Sequence, residues 1–347
     1  METFANKENI TIKDIAKIAK VSYSTVSRSL NDSNLVAETT KKKIQKIAKQ
    51  LGFEFDASAR GLVTRRVGTI GIILPNNFNN FNIYTHHVSL MNQLRTVLEK
   101  EDYDLIVSFY KNHFNNIDNI KRLINRRKVD GLIILKPRLD NDTLDYIIEK
   151  SIPFVFSHYP LELNHSDVES VYPDNFYGGS IVAKHYLDRG YKKFVCINSI
   201  TRDLEFNLRI EGFRNIIFSE KSDNISLEIL YGDLSFESGY KLTKDNFDIF
   251  KKSEAVFSIN DMMAFGIMKA LNEVGLRIPD DIAIIGYDNS DLCEFFTPKV
   301  TSVHQRQEII ALKTCERLIS KILNKDNYTN IRQFIIKPEL VIRESSG

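Results

Sequence analysis

From Val67 onward the chain alternates between short apolar runs and amphipathic stretches, and this rhythm limits its fold more than any other feature. Seven runs read as strands: TIGIILP, DLIVSFY, DGLIILK, PFVFS, KFVCIN, EAVFSIN and DIAIIGY. Between them, residues 90–100, 117–127, 178–189, 204–218 and 262–274 repeat their apolar positions at helical spacing. Continuously apolar strands separated by helices of this length predict parallel sheets covered by helices on both faces. There is chain enough for two such sheets, one per lobe. The tail at residues 332–343, RQFIIKPELVIR, reads as a closing strand.

Open α/β sheets bind ligands beyond the carboxyl ends of their strands, so candidate site residues are sought there. PNNFNNFNIY follows the first strand and contributes Tyr84. SHYP follows the fourth and contributes His158 and Tyr159. A helix reading FNLRIEGFR carries Arg209, SIND ends in Asn260-Asp261, and GYDN brings Asp288. Each has a plainer reading. The tyrosines can be packing, Arg209 a surface residue, and Asp261 and Asp288 helix caps. No GxGxxG, GxxxxGK[ST] or G-x-S-x-G pattern is present, and adjacent His86 and His87 point different ways on a helix. No enzyme activity, cofactor or metal is therefore expected. Gly178-Gly179 reads as a place where helices approach closely. Cys196, Cys293 and Cys315 lie far apart, as packed, reduced thiols would. No signal-like run and no stretch of about 18 apolar residues occurs, which predicts a cytoplasmic protein with no membrane partner.

The amino-terminal part differs in charge. Up to Arg66 there are 13 Lys/Arg against 7 Asp/Glu, whereas the whole chain has 47 against 45. A basic head on a mildly acidic body suits a nucleic-acid-binding module. Within it, TIKDIAKIAKVSYSTVSR at residues 11–28 reads as two short helices with a turn at Lys20-Val21. Thr11 caps the first with help from Asp14, and Ser22 caps the second. Ile12, Ile15, Ala16 and Ala19 form one apolar face, and Val26 and Leu30 face inward. Tyr23, Ser24, Thr25, Ser27 and Arg28 then lie near the start of an outward helix, as in a helix-turn-helix. Arg28 can donate two hydrogen bonds to a guanine edge, and the hydroxyls can reach phosphates. Asn31 and a polar loop lead to a third helix at residues 38–51 with five lysines outside, ended by Gly52. Residues 55–66, FDASARGLVTRR, are small and basic, with Leu62 prominent: a linker, or a hinge that becomes helical on DNA.

TIKDIAKIAKVSYSTVSRSLN, then A-R-G-L at residues 59–62, then VGTIGIILP resemble the lactose-repressor/galactose-repressor (LacI/GalR) family. So do R-x-x-G-F (Arg209, Gly212, Phe213), N-D-x-x-A-x-G (Asn260 to Gly266) and the run ending GYDN. The resemblance implies a small all-α helix-turn-helix head (residues 1–56), a hinge (57–67) and a two-lobed, periplasmic-binding-protein-like α/β effector domain (68–347). It implies three chain passages between lobes. It implies a homodimer on double-stranded operator DNA, a transcriptional regulator and most plainly a repressor, controlled by a small sugar-like effector. The implied DNA-binding set is Thr11, Ser22, Tyr23, Ser24, Thr25, Ser27, Arg28, Asn31, Arg60 and Leu62, with Leu62 wedging base pairs from the minor groove. The implied effector set is Tyr84, His158, Arg209, Leu234, Asp261 and Asp288. The guanidinium of Arg209 and the carboxylate of Asp261 can hold adjacent sugar hydroxyls, one donating and one accepting, with Asp288 as a third polar contact. Leu234 stands where relatives often place an aromatic ring. Lys20 stands where the family usually has Gly, which predicts a left-handed Lys20. A solute-binding protein or a sugar-active enzyme on the same scaffold is the competing expectation.

Overall fold

The computed structural model describes residues 10–30, 33–53, 66–76, 85–160, 168–201, 203–219, 224–325 and 331–347. Contacts divide the chain into two compact units, Met1–Gly68 and Thr69–Gly347. The first contains α1 (Ile12–Ala19), α2 (Tyr23–Leu30) and α3 (Glu38–Gln50). Ile15, Ala16, Ala19, Val26, Ile44 and Ala48 close a small core. Helix α3 begins at Ala37 without a side-chain cap, and Gly52 follows it with φ +61°. One expectation fails here: Lys41 is 5% exposed rather than outside with its neighbours. Position 41 falls on the same helical face as Ile44 and Ala48. Its stem packs inward while the ammonium sits 3.6 Å from Glu38.

The second unit holds two six-stranded sheets. The first contains β1 (Thr69–Leu74), β2 (Asp104–Phe109), β3 (Gly131–Ile134), β4 (Phe154–Ser157), β5 (Ser170–Pro173) and β11 (Gln333–Ile336), in the order β11-β5-β4-β3-β1-β2. All its pairings are parallel. The second contains β6 (Lys193–Ser199), β7 (Ser226–Gly232), β8 (Ala255–Ser258), β9 (Ala283–Tyr287), β10 (Thr301–His304) and β12 (Glu339–Val341), in the order β12-β10-β9-β8-β6-β7. Only β12 runs antiparallel. The tail is thus two strands, not one closing strand. β11 completes one sheet and β12 the other, with Lys337 and Pro338 between them. The chain passes between sheets after β5, after β10 and after β11.

Alternation within the strands fills a core on each face of the first sheet. Ile70, Ile72, Ile133 and Val155 meet α4 (Thr85–Lys100) and α12 (Gln307–Ile322). Ile73, Leu132, Ile134 and Phe156 meet α5 (Asn119–Asn125) and α6 (Asn141–Glu149). The second sheet packs against α7 (Asn175–Asp188), α8 (Leu204–Ser219), α9 (Phe236–Asp245), α10 (Phe247–Lys252) and α11 (Asp261–Glu273). No helix among the described residues is long and apolar enough to cross a membrane.

The closest packing is between α7 and α8. A Cβ on Gly179 would lie 1.8 Å from the Arg209 carbonyl oxygen, and one on Gly212 would lie 1.9 Å from that of Phe176. The close approach expected at Gly178-Gly179 is therefore backbone on backbone at Gly179, while a Cβ at Gly178 would meet the Tyr287 side chain. Gly179→Ala must push the helices apart, and overpacking of this kind costs about 1–3 kcal/mol. A lowered unfolding midpoint in denaturant titration checks this; an unchanged midpoint would mean the crossing is loose.

Candidate functional site

In the head, the Thr11 hydroxyl donates to Asp14 Oδ2 at 2.6 Å, and the Thr11 backbone N–H donates to the same oxygen at 3.0 Å. The capping box is complete, so the hydroxyl of Thr11 is engaged within the helix start. Lys20 takes φ 56° and ψ 44°, the left-handed turn expected of it, and its N–H closes on the Ala16 carbonyl. Ser22 Oγ accepts from the Thr25 N–H at 3.1 Å and lies 2.8 Å from both Ser24 Oγ and Thr25 Oγ1. That fixes the start of α2. Val26 and Ser29 turn inward, and Ser29 Oγ donates to the Thr25 carbonyl at 2.7 Å. Tyr23, Ser24 and Arg28 are exposed, with Ser27 half-buried beside them. Residues 24 and 28 share one helix face. Asn31, Arg60 and Leu62 lie outside the described residues.

In the effector unit, Arg209 projects from α8 and is 2% exposed. Its Nε donates to Asn175 Oδ1 at 2.9 Å and its Nη1 to the Ile259 carbonyl at 2.6 Å. Its guanidinium carbon lies 3.7 Å from the centre of the Tyr287 ring. Asp288 Oδ1 is 3.9 Å from Nη1 and accepts from Gln305 Nε2 at 2.6 Å. Ile259, Tyr287 with Asp288, and Gln305 lie at the carboxyl ends of β8, β9 and β10, whereas Arg209 and Asn175 come from α8 and the start of α7. Burial pushes the Asp288 carboxyl well above the ordinary carboxylate range, against the pull of Arg209 and with a further push from Asp261.

Asp261 does not join this pair. Its Oδ1 accepts from Ser302 Oγ at 2.6 Å, and its Oδ2 from the Ser290 N–H at 2.8 Å and the Cys293 thiol at 3.3 Å. The carboxylate ties the loop after β9 to β10, so the expectation of Asp261 beside a ligand is revised. Nor does either aspartate cap a helix. Asn260 caps α11 through the Met263 N–H at 3.1 Å, and its Nδ2 donates to the Leu234 carbonyl at 2.8 Å. Leu234 is held half-buried with φ 72°.

His158 follows β4 with φ 77° and is 3% exposed. Its ring lies 5.2 Å from that of His87 and 5.1 Å from that of Tyr159. His87 Nε2 is 2.8 Å from the Tyr159 hydroxyl. Burial, then the charges of His87 and Arg209, hold His158 well below the ordinary imidazole value. Tyr84 lies outside the described residues. Asn175, Tyr287, Gln305 and His87 were not singled out as site residues from sequence. Tyr287 had a signal, since it adjoins Asp288 at the end of β9; Asn175 had none beyond starting a helix after a strand.

Burial also holds His87 down to about 3. The folded form therefore refuses a proton that the unfolded chain takes up below about pH 6.5. The stability tied to this group is complete above that pH and falls on acidification, by about 1.4 kcal/mol per pH unit until pH nears the folded value. Wild type compared with His87→Gln by denaturant titration at pH 7.5 and 5 should show the variant losing about 2 kcal/mol less. Parallel losses would contradict this.

A family model described as "Bacterial regulatory proteins, lacI family" matches residues 11–55, and one described as "Periplasmic binding protein-like domain" matches residues 183–346. The chain is 30% identical over 336 residues to the HTH-type transcriptional repressor PurR of Vibrio cholerae serotype O1 (strain M66-2), covering 96% of this chain and 97% of that protein. It is similar to a LacI family transcriptional regulator from Enterococcus faecium solved with bound ribose, at 26% identity and a TM-score of 0.66, over 80% of this chain and 98% of that one. The lac repressor dimer bound to operator and the anti-inducer ONPF matches in fold, at 21% identity and a TM-score of 0.74, over 98% of this chain and 99% of that one.

Proposed function

The chain belongs to the lacI family of bacterial regulatory proteins, and from that premise we propose how this transcriptional regulator reads DNA and senses its effector. It acts as a repressor on operator DNA in the cytoplasm. Tyr23, Ser24 and Arg28 read base edges in the major groove, while Ser22, Thr25 and Ser27 hold phosphates. Arg60 and Leu62 act in the minor groove at the operator centre. The observation that carries this reading is the outward face of α2, fixed by the Ser22 cap and left exposed at Tyr23, Ser24 and Arg28.

The effector lies against Arg209 and Asp288, with His158 facing it from the other lobe. A sugar-like polyol suits this pair, because a guanidinium donates and a carboxyl accepts or donates at adjacent hydroxyls. The aliphatic Leu234 favours a polyol over a flat, ring-stacked ligand. The Enterococcus faecium relative with ribose supports the same class. Effector binding changes operator affinity by a coupling of about 1–3 kcal/mol, the usual size of such effects.

The working form is a homodimer that places two heads on a two-fold operator. Val107 and Phe109 on edge strand β2 are 49% and 44% exposed, and Phe295 is 78% exposed. Apolar side chains on an open edge favour a second copy of the chain as their cover.

Fluorescence anisotropy on the DNA upstream of the chain's own coding region tests the DNA reading. Arg28→Ala should lose about 1–3 kcal/mol of preference for operator over scrambled duplex. Unchanged discrimination would remove Arg28 from the base-reading set. A thermal-shift screen of sugars and nucleobases should give a sugar hit that disappears in Arg209→Ala. Phe109→Asp should shift the protein to monomer in sedimentation velocity while its melting profile stays cooperative.

A further inference from the structure

The first sheet carries a second group of charged side chains, on the other lobe from Arg209 and Asp288. A pocket of about 500 Å³ opens at the carboxyl ends of β2 and β3, lined by Tyr110, Lys136, Arg138, Leu139, Asp140 and Asn141. That volume suits a small metabolite. Lys136 Nζ lies 4.8 Å from the centre of the Tyr110 ring, and Lys111 Nζ lies 5.2 Å from the same ring. Two ammonium groups thus share one aromatic side chain, with the Arg138 guanidinium beside them.

The one carboxylate in the wall is already engaged. Asp140 Oδ1 accepts from the Thr143 N–H at 2.9 Å and so caps α6. Its Oδ2 accepts from the Tyr110 hydroxyl and lies 3.5 Å from Lys111 Nζ. Lys136 is half-buried and forms no ion pair among the described residues. Burial first, and then the charge of Arg138, lower its proton affinity. A partly desolvated ammonium with a second cation facing the same concavity is destabilised, and a bound anion is what would relieve Lys136. The helix start is already capped and contributes little further attraction for an anion.

We propose that this pocket binds a small phosphate monoester, its phosphate on Lys136 and Arg138 and its body against Tyr110 and Asn141. The neutral polyol read for the Arg209–Asp288 pair carries no such group. The effector unit then takes two inputs, one at the Arg209–Asp288 pair and one on the first lobe alone. This inference does not rest on the identity of the other ligand.

Phosphorus NMR titration of the full chain at fixed ionic strength tests it, with inorganic phosphate and glucose 6-phosphate as probes and chloride as counter-anion. Saturable binding is expected, weakened about tenfold or more in Lys136→Gln and in Arg138→Gln, and kept within about threefold in Lys136→Arg. Arg209→Gln should leave it unchanged. A non-saturating titration, or equal affinity in Lys136→Gln, overturns the proposal. Loss of binding in Arg209→Gln also overturns it, because the anion would then sit with the effector. Circular dichroism melts establish that each variant is folded.

Discussion

The arrangement of the candidate effector site depends on two helices touching through their backbones. Gly179 on α7 admits the carbonyl of Arg209, and Gly212 on α8 admits that of Phe176. No side chain separates the helices there, so the root of Arg209 is fixed relative to Asn175 at the start of α7. The guanidinium then reaches Asn175, the Ile259 carbonyl and the Tyr287 ring at once. Rigid elements, not loops, set its direction, which is how a site keeps its geometry between ligand-bound and ligand-free states.

A guanidinium 2% exposed and a carboxyl 6% exposed form an expensive pair to bury. Their separation of 3.9 Å is loose for an ion pair. Each is steadied mainly by neutral partners: Asn175, Ile259 and Tyr287 for Arg209, and Gln305 for Asp288. Such a pair is held short of its best mutual geometry. A ligand that bridges the two groups recovers interaction energy that the protein alone leaves unrealised. Asp261, only a short way off, shows the contrast, since three internal donors already engage its oxygens.

Much of this fold was legible in the sequence, for identifiable reasons. The central strands β1, β3, β4, β8 and β9 are buried on both faces and so read as unbroken apolar runs. Strands β5 and β10, SVYP and TSVH, are short and rich in polar residues, and no run announces them. The tail looked like one strand because Lys337-Pro338 is too brief a break for periodicity to register. The head motif fixed the caps at Thr11 and Ser22 and the left-handed Lys20, since those are local effects. Lys41 went wrong because charge was read as exposure, although helix geometry turns that position inward. At the site, the motifs favoured Arg209 with Asp261 and left Asp288 as a third contact, whereas Asp288 is the carboxyl that lies 3.9 Å from Arg209. Residue type could not tell which of two aspartates, Asp261 or Asp288, had its oxygens satisfied from within, because those donors come from distant strands.

The tail has a mechanical meaning. β11 is hydrogen-bonded into one sheet and β12 into the other, and two residues join them, one a proline with a fixed φ. So short a tether cannot stretch, so the two sheets cannot separate where β11 meets β12. Any opening of the lobes is smallest there, as with covers on a spine. Small angular changes near the spine become large displacements at the far rims of the lobes.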